Sequence, residues 1–290
     1  MDHQSLRCFV AAAETETFRV AAARVALSPA ALSDRIASLE DQLGVALFTR
    51  TTRRVTITEA GTRLLPHARK LLDDAARCRS VALGDRSPLP FALTLGTRAE
   101  LGLSWLCPAL APLEAERPER TLHLYMADSG ALLDRLERGA LDAVVLSARL
   151  TRPHLETALL HEEAYAFVTA TDGPRAAHEA RGFTLLDATP DLPLFSYLLD
   201  ALPEGPPWRF ADHRYVGGIS TIRHQVLAGR GVAVLPRYFI HDDLAAGRLV
   251  ELLPKRPPRS DWFRLIWRAD HPRADELVRL AASLRAWPLR

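Results

Sequence analysis

Residues 27–44, LSPAALSDRIASLEDQLG, constrain the fold more than any other part of the chain. Leu32, Ile36, Leu39 and Leu43 step by four, three and four, which at 100° per residue puts them on one narrow helical stripe. Ser28 followed by Pro29 is an N-cap and first-turn pair: the serine oxygen can accept an orphan backbone N–H, and proline removes one that has no partner. Gly44 supplies the stop. On the opposite arc lie Ala30, Asp34, Ala37 and Ser38, with Ala31 and Ser33 at its margins. A merely solvated face would carry long Lys, Glu and Gln side chains. A short-sided one lets the helix body enter the major groove of a duplex and bring its first turn to the base edges.

The segments on either side extend this reading. Leu6, Phe9, Val10 and Ala13 mark a first helix, and Thr17 stands as N-cap before FRVAAARVAL, where Ala21 and Ala22 are small enough for two helices to approach closely. Two helices, a tight turn and a third helix read as helix-turn-helix, although this pattern alone also suits a small three-helix bundle with an ordinary surface. The next stretch, LFTRTTRRVTITEAG, alternates Val55 and Ile57 with Thr56 and Thr58 and has no acid between Asp41 and Glu59. It predicts a short hairpin with Arg50, Arg53 and Arg54 at its cationic tip, a wing suited to phosphate contact and to a narrow minor groove. Charge placement agrees: residues 1–86 hold 13 Lys and Arg against 10 Asp and Glu, and the remainder is nearly balanced.

The run SPAALSDRIASLEDQLGVALFTRTTRRVTITEAG resembles the N-terminal signature of LysR-type bacterial transcriptional regulators over nearly all of residues 3–65. GALDAVVLS and VLAGRGVAVLPRYFIHDDLAAGRLVEL stand where that family's effector domain has similar phrases, so the resemblance covers essentially the whole chain. It implies an α+β multidomain protein: a winged helix-turn-helix over 1–58, a long linker helix over 59–86, and an α/β effector domain over 87–290. That last domain would comprise two Rossmann-like subdomains, I at 91–162 and 268–290 and II at 163–267, as in periplasmic binding proteins. Duplex DNA would be met by Thr17, Ser28, Ala30, Ala31, Ser33, Asp34 and Arg35 of the helical unit and by Arg50, Arg53 and Arg54 of the wing. Asp34 departs from the family, which commonly has Arg or another polar donor there; an aspartate cannot neutralise phosphate but can accept from a cytosine amino group. The resemblance further implies a homodimer or homotetramer and admits RNA polymerase as a partner.

From Thr58, a plausible N-cap, Gly61, Leu64, Ala68, Leu71, Ala75, Cys78 and Ala82 recur by threes and fours. Such a heptad seam asks for a partner helix and assigns dimerisation to Leu64, Ala68, Leu71, Ala75, Cys78 and Ala82. The competing reading packs the helix on its own effector domain, and Leu65 and Leu72 are then the buried residues. Gly84, Pro88 and Pro90 close the helix. Beyond them, strands at 92–96, 121–126 and 143–146 alternate with helices from Ser104 and Leu132, which predicts a parallel sheet; crossings at 164–169 and 262–267 divide the region around a cleft. Ligands of such sheets sit at the carboxyl ends of strands and near helix N-termini. Those ends offer Arg98, Glu100, Ser129, Ser147, Ser196 and Gly218, with Phe195 and Tyr197 as apolar walls. Arg98 can take a carboxylate two-pronged, so an anionic small-molecule effector is expected; a surface arginine paired with Glu100 is the plainer alternative.

Other classes fare poorly. GxSxG, P-loop and HExxH motifs are absent, the ten histidines are scattered, and Cys8, Cys78 and Cys107 are odd in number with no CxxC. No enzyme, cofactor or metal is expected. No apolar run approaches a membrane span, the N-terminus carries Asp2, Glu14 and Glu16 in its apolar stretch, and the expected address is cytoplasmic, with no membrane partner. Two further functions compete with a ligand-responsive regulator: an architectural DNA-binding protein whose C-terminal part only oligomerises, and a small-molecule binder with a vestigial N-terminus. The size of the α/β region speaks against the first, and the wing against the second.

Overall fold

The computed structural model describes residues 1–15, 17–50, 55–83, 90–147, 152–174, 182–202 and 210–289. The chain opens with α1 (His3–Ala13), α2 (Phe18–Arg24) and α3 (Pro29–Leu43), followed by the hairpin β1 (Phe48–Arg50) and β2 (Val55–Ile57) and the long α4 (Glu59–Ala82). The capping residues act as their types require. Asp2, Thr17 and Ser28 accept from the backbone N–H of Ser5, Val20 and Ala31, and Gly44 ends α3 in the left-handed conformation at φ 68°. Leu32, Ile36 and Leu39 of α3 are fully buried with Leu6, Phe9, Ala21 and Ala22, so the stripe forms a core; Leu43, its fourth member, is 39% exposed and lies beyond that core.

The hairpin is tied to both neighbouring helices. Glu40 of α3 accepts from the N–H of Leu47 and of Phe48 at 2.7 and 3.0 Å. Thr58 donates its hydroxyl to Ala46 O at 2.7 Å and accepts from Gly61 N–H at 3.1 Å, capping α4 where it joins β2. A side chain at Gly61 would come within 2.5 Å of Leu47 O, so this contact requires glycine. The wing is thereby held in a fixed relation to α3.

The effector region holds two subdomains. In the first, β3 (Phe91–Thr97), β4 (Arg120–Met126), β5 (Ala143–Leu146), β6 (Leu155–Glu163) and β12 (Asp261–Arg268) form one sheet in the order β4-β3-β5-β12-β6. Strands β4, β3 and β5 are parallel, as expected, but β12 runs antiparallel to both β5 and β6. The sheet is covered by α6 (Cys107–Glu116) and α11 (Ala274–Ala286) around Trp105 and Phe263, and by α7 (Ser129–Glu137) around Leu132 and Val144. The helical run expected from Ser104 begins earlier, with α5 (Ala99–Leu101) and a π-helical turn (Gly102–Leu106) leading into α6; the helix expected from Leu132 begins at Ser129.

The second subdomain contains β7 (Tyr165–Ala170), β8 (Thr184–Asp187), α8 (Phe195–Leu199), β9 (Asp212–Tyr215), α9 (Ile219–Leu227), β10 (Ala233–Pro236), α10 (Arg237–Ala245) and β11 (Leu249–Glu251). Here β7 lies between β10 and β11, antiparallel to both, and β8 pairs in parallel with β9. A parallel sheet throughout is therefore corrected: the returning chain enters each sheet from the opposite end. The return crossing also lies before Asp261, since all of β12 belongs to the first sheet; subdomain I resumes at 261 rather than at 268.

Candidate functional site

On α3, Ser28, Ala30, Asp34 and Ser38 are exposed, with Ala31, Ser33 and Ala37 half-buried at the rim. The outer face is thus short-sided and accessible, backed by the fully buried Leu32 and Ile36. Thr17 and Ser28 serve as caps, yet each hydroxyl keeps its proton for an outside acceptor. Arg35 is exposed, 3.9 Å from Asp2. Arg50 ends β1, the strand that leads into the wing tip; Arg53 and Arg54 lie outside the described residues.

The helix α4 divides the two readings of its apolar residues. Leu65 and Ala68 are buried in the helix-turn-helix core, with Leu64 and Leu72 packed against it. Ala68 is therefore not available to a second chain, which corrects its place in the seam. Further along, Leu71 is 44% exposed, and Cys78, Val81, Ala82 and Leu83 are exposed, with Ala75 half-buried. Among the described residues of the helix, this distal half is the part that presents exposed apolar side chains.

A polar group gathers where β3, β5 and β6 end, and Glu100 joins it to the start of α9. Arg98, just past β3, donates through Nη2 to Glu163 Oε1 at 3.2 Å and to Ser147 Oγ at 3.5 Å. Its partner is thus Glu163 at the end of β6, not Glu100. Glu163 is wholly buried while the Arg98 side chain is 26% exposed. Burial opposes the Arg98 charge, but the neighbouring Glu163 carboxylate outweighs it and holds the guanidinium above the ordinary arginine range. Glu100 reaches across to subdomain II, where its Oε1 accepts from Ser220 Oγ at 2.8 Å and lies close to Gly218, the N-cap residue of α9.

Three tyrosines line the hinge below this group. Tyr165 begins β7 and stacks on Tyr197 with ring centres 4.2 Å apart; Tyr238 of α10 packs edge-on against Phe263 of the first sheet. Burial, reinforced by the Glu163 charge, pushes the Tyr165 phenol up, and burial does the same at Tyr238, so both stay protonated. The Tyr238 hydroxyl and Glu163 Oε2 are buried without a hydrogen-bond partner.

Arg98, Glu100, Ser147 and Gly218 are therefore brought together. Ser129 is exposed at the first turn of α7, and Asp128 rather than Ser129 caps that helix. Ser196 donates to Pro193 O at 2.8 Å. Phe195 is not a cleft wall: it is 4% exposed and packs with Phe167 and Phe210 in the core of subdomain II. Glu163, Tyr165, Tyr238 and Ser220 were not singled out by sequence; HEEAY at the first crossing was the available signal. Among the described residues no His, Cys, Asp or Glu cluster could hold a metal, and no helix is long and apolar enough to cross a membrane.

Both halves match known families. Residues 3–62 fit the bacterial regulatory helix-turn-helix protein, lysR family, and residues 92–287 the LysR substrate binding domain. A Streptomyces viridosporus protein named "Probable hydrogen peroxide-inducible genes activator" is 31% identical over 97% of this chain and 92% of its own length. The Escherichia coli K12 DNA-binding transcriptional dual regulator OxyR is 29% identical over 99% of this chain and 95% of its own. A single-residue variant of full-length OxyR from Pseudomonas aeruginosa superposes with a TM-score of 0.74 at 27% identity, covering 100% of this chain and 96% of that one. These relatives are transcriptional regulators rather than enzymes. With the short-sided helix, the wing and the two-subdomain cleft in one chain, the protein belongs to the LysR family of DNA-binding transcriptional regulators.

Proposed function

We propose that the outer face of α3 reads the operator, with Ser33 and Asp34 at the base edges and Arg50, Arg53 and Arg54 of the wing on phosphates. The observation that carries this is the exposed row of short side chains on a helix whose opposite stripe is fully buried. Selecting bound sites from a random duplex pool and titrating with salt tests it. Arg53→Ala should weaken binding to all sequences and lower the salt slope by about one phosphate equivalent; an unchanged slope and affinity would remove the wing from the interface.

The site at Arg98, Glu100, Ser147 and Gly218 holds a small effector that presents an anionic group. Binding favours one arrangement of the subdomains and, through α4, one spacing of the DNA-reading helices. The shift equals the effector's differential affinity for the two arrangements, about 1–3 kcal/mol. The distal face of α4 pairs two chains as a dimer, or as a dimer of dimers, and the regulator acts on DNA and RNA polymerase in the cytoplasm. The one cysteine of residues 92–287 is Cys107, exposed at the start of α6, and a thiol-based response within that domain would have to act through it.

A further inference from the structure

We propose a second ligand site, in the cavity between the DNA-binding and effector domains, for a small organic anion: a carboxylate or phosphate carried on an apolar body. It shares no residue with the group at Arg98 and does not depend on that group's role.

The cavity exists because one face of the first sheet is only partly covered. Ala92, Thr94 and Gly96 of β3 share that face by strand alternation. A side chain at Gly96 would come within 2.8 Å of Leu132 and 2.6 Å of Leu141, so this end of the face lies under α7 and the turn after it. Ala92 and Thr94, with His123 beside Thr94 on β4, line the cavity instead. The opposite wall comes from the ends of α1 and α2 and from α4. Two long side chains hold the walls apart: Arg69 reaches Gly139 O at 3.0 Å, and Arg273 reaches Asp73 Oδ2 at 2.6 Å. The enclosed 650 Å³ is within the range of small-molecule sites, about 300–1,000 Å³.

Charge placement sets the class of ligand. The helical wall is balanced, Arg24 and Arg69 standing against Glu14 and Asp73. Glu14 meets both of these arginines, at 3.4 and 2.9 Å. The effector wall is not balanced, because Arg135 and Arg273 face Asp142 alone. Asp142 is already committed: it accepts from Thr94 N–H at 2.7 Å and is bonded to His271 Nε2 at 3.0 Å. Asp73 takes Arg273, and Asp134, next to Arg135 in sequence, pairs with Arg138 at 2.9 Å. Arg135 is left over. Its guanidinium lies 4.4 Å from the Tyr125 ring centre, and among the described residues it has no carboxylate partner. The cavity thus holds one cation in excess, with His123 as a further polar group, between walls that limit screening by salt.

The same cavity presents apolar surface. Val10, Ala13 and Leu72 of the helical wall are half-buried, as is Phe91 opposite them. A bare inorganic anion would leave this surface wet, and a neutral apolar molecule would leave Arg135 uncompensated. An anion on an apolar body meets both. Because the walls belong to different domains, such a molecule favours the joined arrangement by its differential affinity for it, and so fixes α3 relative to the effector domain.

The test uses the full chain and four probes: 1-naphthyl phosphate, 2-naphthoate, the uncharged 2-naphthamide, and inorganic phosphate, which has no apolar body. By calorimetry at least one naphthyl anion should bind, with the amide and inorganic phosphate at least about tenfold weaker; the tighter anion tells phosphate from carboxylate. Arg135→Gln should weaken that anion about tenfold and leave the amide within about twofold. Ala92→Phe, which fills the cavity from the bare strand, should weaken both the anion and the amide. Hydrogen exchange with the anion bound should slow at residues 65–73 and 91–94, which line the cavity, and not at the start of α9. The inference is overturned if neither anion binds, if the amide binds as tightly as the anions, or if both variants leave the affinity unchanged. Slowing at the start of α9 alone would put the probe between the effector subdomains and overturn it as well.

Discussion

Arg273, at the head of α11, donates through Nη2 to Asp73 Oδ2 of α4 at 2.6 Å, joining the effector domain to the linker helix while its guanidinium lies 4.5 Å from the Phe91 ring centre. One turn earlier on α4, Arg69 donates to Gly139 O of the effector domain at 3.0 Å and to Glu14 Oε1 at the end of α1 at 2.9 Å. One face of α4 is thus fastened on both sides. The two contacts help to wall a cavity of about 650 Å³ between the DNA-binding and effector domains, which Arg24, His123 and Arg135 also line. A rotation of the effector domain against α4 must break them.

Because the Asp73 side chain is 49% exposed, the pair should contribute modestly. A double-mutant cycle of Asp73→Ala and Arg273→Ala, read by denaturant unfolding, should give a coupling of about 0.5–1 kcal/mol that fades in high salt. Zero coupling at low salt would mean that the joint is open in solution.

The two halves of α4 should respond differently to the same substitution. Leu71→Glu, on the exposed part, should leave the melting transition of the DNA-binding domain near its original place and split the oligomer, because two-fold symmetry puts two new charges in one apolar strip. Leu65→Ala, in the core, should instead cost about 2–5 kcal/mol of stability. Equilibrium sedimentation that shows an unchanged oligomer for Leu71→Glu would place the subunit contact elsewhere.

Asp243 gives an acid-sensitive element in subdomain II. Its side chain is 1% exposed, between Arg223 at 2.5 Å and Arg248 at 2.7 Å. Burial opposes its charge, but the two guanidinium groups outweigh that and hold the carboxyl below its ordinary value. A carboxyl that is more acidic when folded contributes stability above its unfolded value, near pH 4, and loses it as the pH falls through the lower folded one. Asp243→Asn should therefore cost about 1–3 kcal/mol at neutral pH, with the gap to the wild type narrowing on acidification below about pH 4. Melting curves from pH 7 to pH 3 in which the gap stays constant would show that the pair is not the source.

What could be read in advance follows the range of the interactions. The caps at Thr17, Ser28 and Thr58 and the Leu32 stripe are local, and each stands where its residue type asks. Arg98 was legible as a cleft cation, yet its partner Glu163 lies 65 residues away, and no spacing rule connects the two. Tyr238 comes to the hinge only because β10 pairs antiparallel with β7, a pairing the alternation of strands and helices did not foretell. Phe195 was misplaced because α8 has only five residues, too few to show which face is buried. On α4 two apolar stripes share one stretch of helix, and only packing against α1 decides that Ala68 belongs to the inner one.

Asp34 carries the last prediction, because it is exposed in the middle of the reading face. An acceptor-only side chain there favours a cytosine amino group and repels phosphate, so it should restrict sequence without adding general affinity. Asp34→Asn keeps the size, removes the charge and adds a donor, which lets the side chain pair with adenine. The variant should bind non-specific duplex as well as or slightly better than the wild type, and its preference at one operator position should move from a C·G pair towards A·T by about 1–3 kcal/mol, roughly a 5- to 150-fold change in the ratio of affinities. The salt slope should change by far less than for Arg53→Ala, since no phosphate contact is lost. Base-by-base competition on the selected operator measures both quantities, and a preference that is unchanged at every position would show that Asp34 does not reach the bases.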